Sequence, residues 1–111
     1  MRLIFVESSL FARRREQYLD DEHFRALEAA LLRDPKAGDV MPGTKGLRKL
    51  RWGAEGTGKR GGFRIIYYVI TADARCLLLI IYSKGEQEDL TPAQARFLMD
   101  LVQAELAARG G

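Results

Sequence analysis

The segment Phe63–Tyr82, FRIIYYVITADARCLLLIIY, decides the fold. Two runs within it, Phe63–Ile70 and Leu77–Tyr82, are apolar at nearly every position, as strands covered on both faces are. Between them Thr71-Ala-Asp-Ala-Arg75 is polar and of hairpin length, so the two strands should pair antiparallel. Upstream, Leu47–Trp52 is a third strand candidate, and Arg2–Val6 reads as a short opening strand.

Helical signals surround these strands. Ser8 or Ser9 can cap a helix that turns Phe11, Tyr18 and Leu19 inward and Arg13, Arg14 and Arg15 toward water. Asp20 or Asp21 can cap a second helix, in which Phe24, Leu27, Leu31 and Leu32 recur at helical spacing until Asp34-Pro35 ends it. The tight joint between the two predicts an antiparallel helical hairpin. Residues Lys36–Gly46, with Pro42 and three glycines, read as a connection. Thr91-Pro-Ala-Gln94 opens the last helix: Thr91 as cap, Pro92 at the first helical position and Gln94 completing a capping box. Ala95, Leu98, Met99, Val102 and Leu106 then line one face. The expected order is β-α-α-β-β-β-α, a single α+β domain over residues 1–111 with a mainly antiparallel sheet.

Composition narrows the class. With 47% hydrophobic and 30% charged residues, the chain is too apolar to be disordered. The longest apolar run, Cys76–Tyr82, is too short to cross a bilayer, and MRLIFVESS lacks the form of a signal peptide. The single cysteine, Cys76, excludes an intramolecular disulfide, suits a reducing cytoplasm and reads as core filling. The lone histidine, His23, has no second His or Cys to make a metal site, and no cofactor is implied.

Charge is concentrated in one place. Lys45–Arg64, KGLRKLRWGAEGTGKRGGFR, holds seven basic residues (Lys45, Arg48, Lys49, Arg51, Lys59, Arg60 and Arg64) against one acid, Glu55. The whole chain is only +3, so the remainder is net acidic and the positive field is local, which points to a polyanion partner. Gly53–Lys59 fits the GxxxxGK core of a phosphate-binding loop, but Arg60 stands where Ser or Thr must ligate magnesium, and a strand follows instead of a helix. Nucleotide hydrolysis is rejected. The loop reads instead as a cationic strand connection able to follow a nucleic-acid backbone. On Leu47–Trp52 the period of two puts Lys49 and Arg51 on one face, opposite Leu50 and Trp52. Tyr82-Ser-Lys84 adds a hydroxyl and an ammonium at the end of the last strand, and Tyr67, Tyr68 and Tyr82 are candidates for base stacking.

Such a cluster supports metal-free cleavage of RNA, whose own 2′-hydroxyl is the nucleophile. The reaction needs a base, an acid for the leaving oxygen and charge stabilisation at the phosphate. Crowded cations lower one another's pKa values, so a lysine here can serve as base, while an arginine stays charged and holds the phosphorane oxygens.

The runs GLRKLRW, GKRGGFRIIYYV and IIYSKGEQEDLT, with the final helix, resemble the RelE/ParE toxin superfamily, and within it HigB-type toxins of bacterial type II toxin–antitoxin pairs. The resemblance spans nearly the whole chain in element order. It implies a RelE-like domain with a twisted sheet packed on the two-helix hairpin. It implies a ribosome-dependent mRNA endoribonuclease acting in the A site of the small subunit, neutralised by an antitoxin of the helix-turn-helix, HigA-like kind. By position, Arg64 falls at the phosphate-stabilising arginine, Lys59 and Arg60 in the RNA-facing loop, and Tyr82 and Lys84 where relatives place further active-site groups. Lys45, Arg48, Lys49 and Arg51 would grip ribosomal or message RNA. The chain departs from the pattern after the last strand, where Glu86, Gln87, Glu88 and Asp89 replace an expected arginine and tyrosine. The general base, Lys59 or Lys84, stays open. The alternatives are a ParE-like gyrase inhibitor and a non-catalytic RNA-binding domain.

Overall fold

A computed structural model describes residues 2–53 and 62–110. The elements run β1 (Ile4–Glu7), α1 (Ser9–Tyr18), α2 (Asp21–Arg33), β2 (Asp39–Val40), β3 (Arg48–Trp52), β4 (Phe63–Ile70), β5 (Arg75–Ser83) and α3 (Pro92–Gly110). The five strands make one mixed sheet in the order β1-β5-β4-β3-β2. Pairing is antiparallel except between β1 and β5, which run parallel. The fold is a small α+β domain, and none of its described helices is long and apolar enough to cross a membrane.

The expected β4–β5 hairpin forms through a single 3-10 turn at Thr71–Asp73, closed by Ala74 in the left-handed region. Both strands are central and buried on each face, which explains their unbroken apolar runs. On one face Phe11, Leu19, Leu27 and Leu31 of the α1–α2 unit pack on Phe63, Ile65, Tyr67, Cys76, Leu78 and Ile81. On the other, Leu98 and Val102 of α3 pack on Leu47, Ile66, Ile70, Leu77, Leu79, Ile80 and Tyr82. Burial pushes the Cys76 thiol up to about 12, so it behaves as an apolar filler at neutral pH.

A bulge in β5 sets which side chains share a face. Ile66 pairs with Ile80 but Tyr67 pairs with Leu78, leaving Leu79 without a register partner. Leu79 and Ile80 both join the α3-side core, so the alternation downstream is inverted and Tyr82 also points to that side. Ser8 secures this region. Its amide donates to Leu78 O at 2.9 Å, and its hydroxyl donates to Leu79 O at 2.6 Å. The same hydroxyl oxygen accepts from the Phe11 amide and so caps α1.

Some expectations are corrected. The connection Lys36–Gly46 contains β2, with Asp39 opposite Lys49 and Val40 opposite Arg48. Tyr67 organises the approach to it: its buried hydroxyl donates to Pro35 O and accepts from the Gly38 amide, both at 2.8 Å, and is therefore not available for stacking on a base. Arg14 and Arg15 are not simply solvated, because they pair with Glu86 and Glu7, and Arg15 also lies over the Phe24 ring. The opening strand is shifted to Ile4–Glu7, since its pairing is set by β5. Asp20 is the cap of α2, and Thr91 and Gln94 form the reciprocal capping box at α3.

Candidate functional site

The β3–β4 register fixes the cationic end of the sheet. Gly62, at φ +58°, immediately precedes β4; a Cβ there would collide with the Trp52 carbonyl and sit 2.7 Å from Gly53 Cα. Only glycine permits this approach. Trp52 then lies opposite Phe63, and Arg51 opposite Arg64, while on the other side Arg64 faces Tyr82. Because of the bulge, Arg64 and Tyr82 share the α3-side face, together with Lys49 and Arg51 of β3.

Arg64 is 4% exposed, one of the few charged or polar residues buried in the described chain. Tyr82 beside it is fully buried, and its hydroxyl has no hydrogen-bond partner among the described residues. Trp52 Nε1, at the end of β3 on the opposite face of the sheet, is likewise buried without a partner among them. Buried polar groups normally find partners, so unfilled bonding capacity concentrated at one end of a sheet marks a site. Burial pushes the Tyr82 phenol above its ordinary value, the Asp89 charge adds to that, and the Arg64 charge works against it. At neutral pH the hydroxyl is therefore a neutral donor.

The rim contains a feature that the basic stretch does not announce. Asp89, in the turn between β5 and α3, accepts from Lys49 Nζ at 2.7 Å. That bond chiefly holds its carboxyl below the ordinary value, the Lys49 charge helps, and Arg51 and Arg64 contribute further. One carboxylate thus lies within the field of three cations. Glu86 anchors the turn itself: it accepts from the Tyr18 hydroxyl, from Arg14 at 2.6 Å, and from the Ser83 amide at 2.9 Å. Gln87 joins it to α3 through Gln94 at 2.8 Å. The sequence signal for these groups was the acidic run after β5, which read as a departure from a pattern and not as a counter-charge.

The remaining candidates divide. Arg51 is exposed at the rim, and Lys84 is exposed just past β5 at the same end of the sheet. Arg48 projects from the opposite face of β3 and donates to Gly38 O at 2.8 Å, so it braces the connection before β2 and is not brought to Arg64. Lys45 is exposed near Tyr68, at the other end of β4 from Arg64. Lys59 and Arg60 lie outside the described residues. The structure therefore brings together Arg64, Tyr82, Arg51, Lys49 and Asp89, and separates Arg48 and Lys45 from them. Among the described residues, no three His, Cys, Asp or Glu side chains gather as metal ligands would.

Such an arrangement can bind a phosphate on planar guanidinium donors backed by a neutral hydroxyl, once Asp89 gives way. No family model matches the chain.

Proposed function

We propose that the protein is a ribosome-dependent mRNA endoribonuclease, the toxin of a bacterial type II toxin–antitoxin pair with a RelE/HigB-like fold. The observation that carries this reading is the buried Arg64 guanidinium beside the orphaned Tyr82 hydroxyl, rimmed by Arg51 and Lys49. A cation held inside a sheet beside an unfilled donor suits the stabilisation of charge that develops during a reaction.

In the reaction, the RNA 2′-oxygen loses its proton to a base and bonds to the adjacent phosphorus. The 5′-oxygen of the next nucleotide leaves with a proton, giving a 2′,3′-cyclic phosphate and a 5′-hydroxyl end. Arg64 stabilises the phosphorane oxygens, Tyr82 donates to one of them, and Lys59 or Lys84 serves as base. Arg51, Lys49 and Arg60 hold the RNA backbone. A cytoplasmic setting and a cognate helix-turn-helix antitoxin belong to the same reading.

The test is primer extension on a message in a translation mixture, with and without the protein. Cleavage confined to translated message is expected, and Arg64→Lys should cut it by about 100-fold, since the fork-shaped donor is lost while the charge remains. A folded Arg64→Lys protein with full activity would sink the assignment. The enclosure of Arg64 and Tyr82 favours one second reading, a non-catalytic RNA-binding domain. It predicts salt-sensitive RNA affinity with no scission. Inhibition of purified gyrase without mRNA cleavage would instead favour the ParE-like alternative.

A further inference from the structure

Lys45 occupies a backbone position that a lysine ordinarily avoids. In the run Met41-Pro-Gly-Thr-Lys-Gly46, three residues have positive φ: Gly43 at 75°, Lys45 at 58° and Gly46 at 105°. Two are filled by glycine, which bears this conformation without strain, and the third keeps a long side chain. The loop is not loose. Buried Thr44 donates from its hydroxyl to Met41 O at 2.6 Å and accepts from the Leu47 amide, while the Met41 amide donates to Leu47 O at 2.8 Å. Strain retained in a braced loop points to a side chain needed for what it reaches.

Lys45 lines an open cleft of about 430 Å³. Lys36, Arg48 and Tyr68 line it as well, with Asp34 as the one acid among the described lining residues. Arg48 is fixed there by its bond to Gly38 O. The half-buried Tyr68 ring lies against Gly46, where a Cβ would be 3.2 Å from its Cε1 atom. Tyr68 is four residues along β4 from Arg64, a separation of roughly 13 Å, and the period of two gives both the same face.

We infer that this cleft is a second nucleotide-binding subsite, which stacks a base on Tyr68 and takes backbone phosphate on Lys45 and Lys36 of the same single-stranded RNA that reaches Arg64. The inference rests on the RNA reading of the Arg64 site. The aromatic wall favours RNA over an acidic peptide, since a peptide of carboxylates would use the cations and leave the ring idle.

The test uses fluorescence anisotropy with two oligouridylates, one long enough to span from Arg64 to Tyr68 and one too short. Lys45→Gly relieves the left-handed strain, so its melting temperature should equal or exceed that of the wild type, whereas a merely structural lysine would show no binding defect. Long-oligonucleotide affinity at low salt should fall about three- to tenfold, and the slope of log affinity against log salt should flatten by about 0.7, one phosphate contact on a single strand. The short oligonucleotide should bind Lys45→Gly and wild type alike. Arg51→Ala serves as the control for the first site. If it weakens binding while Lys45→Gly keeps wild-type affinity and slope, the subsite is overturned and the RNA reading stands. If neither variant changes RNA affinity, both fail. If Lys45→Gly loses affinity for polyglutamate but not for RNA, the cleft is a peptide site and the inference is wrong.

Discussion

Removing the Tyr82 hydroxyl should make the protein more stable and less active. The oxygen is fully buried and has no partner among the described residues, so folding strips it of water and returns nothing. Such a group costs about 1–3 kcal/mol; phenylalanine keeps the ring and leaves only a small void, so a net gain of about 1 kcal/mol is expected from Tyr82→Phe. For a domain of this size that is a rise of about 4 °C in Tm, or roughly 0.5 M in urea midpoint. The alkaline side supplies a second measurement. The folded phenol titrates above its ordinary value of 10, so wild-type stability is complete below pH 10 and declines as pH climbs from there toward the folded value. Tyr82→Phe escapes that part of the decline, and the gap between the two proteins should widen above pH 10. Urea melts at pH 7 and in the alkaline range, with mRNA cleavage measured on the same preparations, give all three quantities. A variant less stable than wild type at pH 7 would mean the hydroxyl is bonded in the native state, and the argument from orphaned donors would collapse.

Three further expectations follow from the rim and the hairpin. Asp89→Asn removes the carboxylate that accepts from Lys49, and low-salt RNA affinity should rise about two- to fivefold, measured by anisotropy; weaker binding would show that Asp89 helps to build the site. Glu86 has its carboxyl held below the ordinary 4.5, first by the Tyr18 hydroxyl and then by the Ser83 amide, so its contribution is present above that value and lost as pH falls through the folded one. Glu86→Gln should therefore be less stable at pH 7 by about 1 kcal/mol, with the difference closing in acid melts; a difference independent of pH contradicts the assignment. Gly62→Ala should lose at least about 2 kcal/mol in urea unfolding, because its Cβ would meet the Trp52 carbonyl at a left-handed φ.

What the sequence revealed was set locally. The β4–β5 hairpin, the Thr91–Gln94 capping box, a cap of α2 at Asp20 or its neighbour Asp21, of which the structure uses Asp20, and the shared face of Lys49 and Arg51 all follow from spacings within a few residues. What it concealed depends on partners far along the chain. Strand β2 exists because two residues find β3, and the Tyr67 hydroxyl draws Pro35 and Gly38 toward the sheet from about thirty positions away. The bulge at Leu79 is silent in a run of leucine and isoleucine, where every residue suits either face, yet it decides that Tyr82 meets Arg64. Asp89 is invisible for the same reason: its cations come from β3 and β4, and only the folded register assembles them. Arg48 looks like its neighbours in the basic stretch until the pleat turns it to the other side of β3, where it bonds to Gly38 O.

The pairing of β1 with β5 bears on how the protein is made. Among the described strands β1 has β5 as its one neighbour in the sheet order, so it stays unpaired until the residues between them have emerged. Strands β2, β3 and β4 can zip beforehand, being adjacent in both sequence and space. The floor of the candidate site cannot, because Tyr82 arrives with β5 and the Ser8 clasp needs Leu78 and Leu79. The Arg64–Tyr82 pair therefore forms only once β5 has joined the sheet, however early β3 and β4 have met.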